Sequence, residues 1–434
     1  MILYYLCQKT SRRATLKNPE RLPQKIMKGK LCVFLIPLLI SLAIAPVAAR
    51  EPRRDELTGK VRLLYIGDYV GADTPARLLE QEPLLSVRGV PATLAWYQEK
   101  FIRKFMRIYM PRSYDDLVGK NDVILFSDAG VRLFESRHFD WFEDAVIEDA
   151  MGMVMIGGVE SFGAEPGRPA WMGTTVMDIL PVEGVFQSFN PNRGVVEIVA
   201  TGNEFISSLP WDTLTPPMNT FDRFNNLVLK EGAELLAYLT VGRERHPFLC
   251  TWMQGEGQTF AMGSDWTPGG GVHFMKWDYY GDYASNLVLY VAGVEVPAEH
   301  ELRHAFKSLL EEYEEQKTLL MATLDFVERF NANSRPLLLK ISENDDNREK
   351  AEDLYMEQDF QPAVDRMNQV VNRIEELTEE SLDLRDRSLF WVYVIEYLTV
   401  IGTCLITGTI VYTLMIRRRL YREVEVTRGR SRRI

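Results

Sequence analysis

Cysteine and histidine are scarce in this chain. Only four cysteines and five histidines occur in 434 residues. Cys32 and Cys404 lie in apolar runs and Cys7 lies near the N-terminus, so Cys250 is the one cysteine expected in the folded part, and a disulfide there is excluded. No CxxC pair and no Cys/His spacing typical of zinc occurs. We expect neither a metal nor another cofactor.

Excess basic charge is also missing. The chain has 50 basic and 61 acidic residues, a formal net charge of −11. A nucleic-acid partner is not expected, because no overall basic character is present to neutralise phosphates. The charge is unevenly spread: acids are dense from about Glu299 to Asp386, and arginines are dense in the last eighteen residues.

The first 49 residues are typical of a signal peptide region whose start is Met27. Two lysines follow Met27, the apolar run Leu31–Ile44 comes next, and small residues up to Ala49 fit a cleavage site. An uncleaved membrane anchor is the alternative interpretation. Residues 50–60 form a charged linker.

The stretch Asp122–Gly163 predicts a strand–helix–strand unit. Val123–Phe126 and Gly152–Ile156 are short apolar runs that each end in polar or glycine residues, and apolar residues recur at helical spacing between them. Parallel strands joined in this way need a sheet covered on both faces. Similar patterns continue along the chain, so residues 61–296 are predicted to form one α/β domain.

Polar side chains follow these strands at their carboxyl ends, where ligands bind in open parallel sheets. The residues expected to bind a ligand there are Ser127, Asp128, Gly158, Glu160, Ser161, Asp265 and Trp266. Asp128, Glu160, Asp265 and His273 are also candidates for general acid–base catalysis. The alternative is that the aspartates cap turns and helix starts, as Asp often does.

An aromatic cluster follows the last predicted strand of the domain. Its members are Trp266, Phe274, Trp277, Tyr279, Tyr280 and Tyr283. Such a cluster either stacks on a sugar or forms the packed face of the last helix, and the packed face is the more common arrangement.

Four segments resemble the putative glutamine amidotransferase family, which is related in shape to the ThuA-like proteins. They are DVILFSD, MIGGVESFG, GTTVMDILPV and GEGQTFAMGSD, the last followed by the aromatic segment. The resemblance covers about residues 61–293 and, less closely, the C-terminal tail. It implies a class I amidotransferase-like, flavodoxin-like fold with a mostly parallel sheet, in a membrane-anchored member.

A working class I amidotransferase needs a cysteine on a strained strand-to-helix turn, assisted by histidine and a carboxylate. Here the turn after Gly152–Ile156 reads Gly157-Gly158-Val159-Glu160-Ser161, which has no cysteine and lacks the GxSxG spacing of a serine nucleophile. Cys250 lies in an apolar strand pattern, where cysteine is usually buried and inert. The chain is therefore interpreted as a pseudoenzyme.

The C-terminal third is predicted to be helical. Residues 297–388 form a helical stalk, for which one tetratricopeptide-like helix pair at residues 351–363 is the alternative. Residues 389–416 form a transmembrane helix, because Tyr397–Ile416 is free of charge and long enough to span a bilayer core. Residues 417–434 form a basic tail, which stays in the cytoplasm.

These predictions combine into a single-pass membrane protein of the cell envelope. The α/β domain lies outside the cytoplasm and binds a small polar ligand or scaffolds other envelope proteins, with the stalk and the transmembrane helix as further contact surfaces. The alternative is a hydrolase or transferase that acts on an envelope carbohydrate or amide through its carboxylates and His273.

Overall fold

The computed structural model of this chain describes residues 52–69, 75–94, 97–330 and 332–430. The predicted signal peptide, its start at Met27 and its cleavage site lie outside the described residues. So do Cys7 and Cys32.

The parallel half of the main sheet contains the edge at which the sequence predicts ligand binding. Strands β1 (Val61–Gly67), β2 (Leu85–Pro91), β3 (Val123–Ser127), β4 (Gly152–Ile156) and β11 (Gly257–Met262) lie in the order β2-β1-β3-β4-β11, all parallel. This is the strand order of the flavodoxin-like folds. The predicted strand–helix–strand unit and the predicted fold class are confirmed.

Four antiparallel strands extend the sheet beyond β11. They are β10 (Glu244–Gln254), β9 (Glu234–Val241), β6 (Gly194–Ile198) and β7 (Thr220–Phe221), in that spatial order. A separate two-stranded sheet pairs β5 (Val182–Asn190) with β8 (Phe224–Leu229). The sequence patterns did not predict β5 or β8, whose short pairing is broken by an irregularity between Gly184 and Phe189.

The helices of the α/β domain cover both faces of the sheet. They are α1 (Ala76–Glu80), α2 (Glu99–Tyr109), α3 (Tyr114–Lys120), α4 (Ser136–Ile147), α5 (Thr175–Ile179), α6 (Glu204–Ser207) and α7 (Tyr280–Val291). Short 3-10 turns lie at Val131–Leu133, Trp211–Thr213 and Phe274–Lys276. Alternate residues of β1 enter opposite cores: Leu63 packs with α1 and α7, whereas Leu64 packs with α2 to α5.

The C-terminal region consists of three long helices. They are α8 (His300–Glu328), α9 (Arg335–Met356) and α10 (Phe360–Arg430). The apolar side chains of α8 and α9 and of the first part of α10 belong to the same core as α7, so the helices pack against the sheet domain as well as against one another.

Helix α10 runs without a break from the packed helices through the apolar run. Among the side chains of α10 whose burial is described, Ser381 is the last that is fully buried, and most large apolar side chains from Phe390 to Tyr421 are exposed. Among the described residues, this is the helix that is long and apolar enough to cross a membrane. The last part of the predicted stalk and the predicted transmembrane segment thus lie on one continuous helix, whereas α8 and α9 form the rest of the predicted stalk.

Candidate active site

Two aspartates emerge at the point where the strand order of the sheet reverses. The chain leaves β1 toward β2 on one side, and β3 lies on the other side of β1. Ligands bind at this kind of switch point in doubly wound sheets. Asp68 follows β1 and Asp128 follows β3, so both residues lie at this edge of the sheet, and both side chains are buried.

The backbone at this edge is tightly packed, which explains its glycines. A Cβ atom on Gly67, whose φ is +139°, would lie 1.8 Å from the carbonyl oxygen of Ser127. A Cβ atom on Gly158, whose φ is +156°, would lie 2.4 Å from Oδ1 of Asp128. Asp128 itself has a φ of 47°, a left-handed conformation that is uncommon outside glycine and occurs preferentially at functional or turn positions.

Asp68 is a buried acid whose pKa lies near neutral. The phenol of Tyr65 donates a hydrogen bond to its Oδ1 at 2.7 Å. Burial and the negative charge of Asp265 raise the pKa of Asp68 from 3.8 to about 7, against the opposing effect of its hydrogen bonds. A carboxyl group in this state has a proton to donate to a ligand.

Asp128 and Asp265 complete the group that we call the strand-end acids, together with Asp68. The backbone N–H of Glu160 donates to Oδ1 of Asp128 at 2.6 Å. Burial, and after it the charge of Asp265, raises the pKa of Asp128 well above 3.8. Burial also raises the pKa of Asp265, whose Oδ1 accepts hydrogen bonds from the backbone N–H and hydroxyl of Thr267.

Glu160 lies beside the strand-end acids, and its carboxylate is fully engaged. One oxygen accepts the backbone N–H of Leu94 at 2.6 Å, and the other lies 3.2 Å from the guanidinium of Arg168. The side chain is buried, which raises its pKa against these stabilising partners. This acid fastens the loops after β2 and β4 together.

The other predicted binding residues are also held inside the fold. Trp266 is fully buried, and its indole N–H donates to Oγ of Ser127 at 2.9 Å. The hydroxyl of Ser161 donates to the carbonyl of Ile156, and the backbone N–H of Gly158 donates to Oδ1 of Asn225 at 2.9 Å. Neither serine hydroxyl has a histidine partner among these hydrogen bonds.

His273 lies beside a different carboxylate from the strand-end acids. Its Nε2 atom is 3.9 Å from Oδ2 of Asp222, which also pairs with Arg193. The structure therefore brings Asp128, Glu160 and Asp265 together at the strand ends and orients His273 toward Asp222.

Cys250 lies on β10 within the core on the α2–α5 side of the sheet. It is fully buried, and burial raises the pKa of its thiol to about 12. Burial of this kind disfavours the thiolate, which is the form in which cysteine acts as a nucleophile.

The aromatic cluster forms part of the protein core. Trp266, Phe274, Trp277, Tyr280 and Tyr283 are all buried, and Phe274 contacts three of the other rings edge-on or tilted. Of the two readings of the sequence, the packed face of α7 is the one observed.

Sequence reasoning missed several residues of this edge. Asp68 directly follows the predicted first strand, so the strand-end rule applied to Asp128 was also sufficient to find it. Tyr65, Arg168 and Asn225 had no comparable signal, because their roles depend on contacts with residues distant in the chain.

The chemistry available at this edge is that of carboxyl groups whose pKa values are raised, above all by burial. In the described part of the chain, no three His, Cys, Asp or Glu side chains are arranged to hold a metal ion. The strand-end acids have the environment to donate hydrogen bonds to a neutral polar ligand or to neutralise a cationic one.

Known proteins that resemble this domain were found by sequence family and by structure. Residues 110–292 match the family model described as "Putative glutamine amidotransferase". Two cytoplasmic proteins of Salmonella typhimurium are similar in structure: each covers 53% of this chain over 99% of its own length, one with 18% identity and a TM-score of 0.42, the other with 20% and 0.43.

A β-galactosidase from Rahnella sp. R3 is 13% identical, with a TM-score of 0.34, and the likeness covers 55% of this chain and 32% of that protein. No curated protein matches the sequence. Residues 110–292 of this chain, which lie within the α/β domain, are thus similar to the putative glutamine amidotransferase family.

Proposed function

We propose that this chain is a single-pass membrane protein whose amidotransferase-like domain binds a ligand without hydrolysing glutamine. The observation that carries the proposal is which side chain follows β4 at the strand-end edge of the sheet. Where an amidotransferase needs a free thiol, the turn after β4 carries Glu160, whose carboxylate is bound to Leu94 and Arg168. The single cysteine of the described α/β domain, Cys250, is buried in the core.

The strand-end acids favour a small polar ligand with hydrogen-bond acceptors or a cationic group. When buried carboxyl groups lie close together, their pKa values change strongly with the charge of any group that binds next to them. A cationic ligand stabilises their ionised forms, whereas a neutral polyol accepts hydrogen bonds from their protonated forms.

The membrane role rests on α10 and on the two ends of the sequence. The apolar run is long enough for a bilayer and is followed by Arg417, Arg418 and Arg419. Positive residues stay in the cytoplasm, and the predicted signal peptide exports the N-terminal part. The α/β domain is therefore proposed to face the outside of the cytoplasmic membrane, with other envelope proteins contacted through α8 to α10.

Two measurements test this proposal. The purified full chain should release no ammonia from glutamine above the rate of a boiled sample, and glutamine turnover that disappears in Cys250→Ala would overturn the binding role. For topology, a single cysteine placed at Arg430 in a chain without native cysteines should resist an impermeant maleimide in intact cells. A cysteine at exposed Arg243 should react in the same cells.

One observation favours a second candidate, a hydrolase acting on an envelope carbohydrate or amide. Asp68 has a pKa of about 7 and lies among other carboxyl groups, a pattern that general acids share. In this case Asp68 or Asp128 protonates the leaving group. Hydrolysis of envelope glycans that is lost in Asp68→Asn and retained in His273→Gln would support this candidate over the binding role.

A further inference from the structure

Helix α2 exposes an apolar face that the α/β domain does not cover. Ile102 and Met106 are buried against the sheet. Four large side chains on another face are exposed: Phe101 (59%), Phe105 (39%), Ile108 (54%) and Tyr109 (46%). Their spacing of i, i+4, i+7 and i+8 puts them on one stripe of the helix.

A basic stripe runs along the same helix between the buried and the exposed apolar faces. It consists of Lys100, Arg103, Lys104 and Arg107, and Glu99 is the one acidic residue of the helix. Arg103 pairs with Glu99 at 2.6 Å. Among the described residues, the other three basic side chains form no ion pair.

The basic stripe borders a hollow of about 280 Å³ between α2 and the start of α4. Arg103, Arg107, Arg112 and Arg137 line it, with His138 beside them. Glu135 is the one acidic residue in the lining, and it pairs with Arg137 at 2.9 Å. In a chain with a net charge of −11, this concentration of positive charge is a local exception.

We propose that α2 and the adjoining arginine hollow bind the surface of an anionic phospholipid bilayer. Helices that lie in a membrane interface combine Lys and Arg on one face with aromatic and aliphatic side chains on the other. The four apolar side chains of α2 enter the headgroup region, and the arginines pair with lipid phosphates.

The pattern of charge favours lipid over a protein partner. Protein interfaces are depleted in lysine relative to the rest of the protein surface. The stripe on α2 is uniformly basic and contains two lysines, which suits a continuous negative surface. The proposal does not depend on whether α10 crosses a membrane, because α2 packs on the opposite face of the sheet from α7 and the long helices.

The test uses the full chain assembled in nanodiscs of zwitterionic phosphatidylcholine. Vesicles that contain about 30% phosphatidylglycerol are added, and bound chain is measured by flotation. Assembly into the discs is recorded separately, so that failure of the proposed membrane insertion is distinguished from failure of lipid binding by α2. We expect flotation with the anionic vesicles, loss of binding with pure phosphatidylcholine vesicles, and weaker binding at high salt.

Two pairs of variants assign the binding to α2. Lys100→Gln/Lys104→Gln/Arg107→Gln should lower the vesicle affinity at least about tenfold. Arg243→Gln/Lys276→Gln/Arg335→Gln, with the same change in net charge at exposed positions elsewhere, should leave the affinity unchanged. Phe101→Ser/Ile108→Ser should also weaken binding, whereas Leu57→Ser/Leu339→Ser should not.

Equal losses in the charge variant and its control would overturn the proposal, because the effect would then be one of net charge alone. Absence of vesicle binding in the unmodified chain would overturn it as well. If the α2 variants instead change the self-association of the chain in sedimentation experiments while vesicles do not bind, the surface is a protein interface.

Discussion

The guanidinium of Arg303 on α8 lies 3.5 Å from the carboxylate of Glu82, which follows α1 in the α/β domain, and both side chains are almost completely buried. Lys307 reaches the same carboxylate at 2.9 Å and also pairs with Asp282 of α7 at 2.7 Å. This buried ion network joins the helical region to the sheet domain. These ion pairs form only when the helical region and the sheet domain are held in a fixed position relative to each other.

Substitution Glu82→Gln should destabilise the chain by about 3–5 kcal/mol, because it leaves two buried cations without their shared anion. Burial alone raises the pKa of Glu82, but the charges of Lys307 and Arg303 outweigh it and hold the pKa below 4.5. Urea unfolding followed by tryptophan fluorescence measures the change. Glu312→Gln at an exposed position of α8 is the matched control and should have an effect of less than about 0.5 kcal/mol. An equal effect in both variants would contradict the structural role of the network.

Asp68→Asn should make the chain more stable at neutral pH and leave its stability nearly unchanged at pH 4. The folded-state pKa of Asp68 is raised to about 7, so its favourable contribution is complete below the unfolded pKa of about 3.9 and is lost as the pH rises toward 7. The difference corresponds to roughly 4 kcal/mol at most, and Asn keeps the acceptor that Tyr65 needs. Unfolding curves at several pH values measure it, with Asp178→Asn as an exposed control.

A difference between Asp68→Asn and the unmodified chain that stays constant from pH 4 to pH 8 would show that the pKa of Asp68 is the same in the folded and the unfolded chain. Asp68 would then be charged at neutral pH, which favours a cationic ligand over a neutral one.

Gly158→Ala should destabilise the turn after β4 by roughly 2–3 kcal/mol. The new Cβ atom would lie 2.4 Å from Oδ1 of Asp128, at a backbone φ that side chains rarely adopt. Gly202→Ala, where a Cβ atom meets no other atom within 4 Å, should be nearly neutral. Thermal unfolding of both variants provides the comparison, and a neutral Gly158→Ala would refute the close approach of the two loops.

Cys250 should not react with a thiol reagent in the native chain at pH 8. Its thiol is fully buried, and burial raises its pKa to about 12. A chain whose other three cysteines are replaced by serine should gain one label in denaturant and none without it. Rapid labelling of the folded chain would reopen Cys250 as a nucleophile.

The local patterns of the sequence were sufficient to predict the parallel strands of the main sheet. Side chains on both faces of β1, β3 and β4 are buried, so both faces of the sheet must be covered, and this requirement is visible as continuous apolar runs between polar strand ends. The strand-end rule also located Asp128, Glu160 and Asp265, because the carboxyl ends of neighbouring parallel strands lie at one edge.

What the sequence by itself determined is therefore the class of the fold, the edge where polar residues collect and the length of the apolar run near the C-terminus, since each follows from short-range periodicity. Only the tertiary structure decided how those residues are used. The pKa of Asp68 depends on Asp265, nearly two hundred residues away, and the anchoring of α8 depends on Glu82. Burial and charge coupling arise from contacts between distant segments, and no local pattern encodes them.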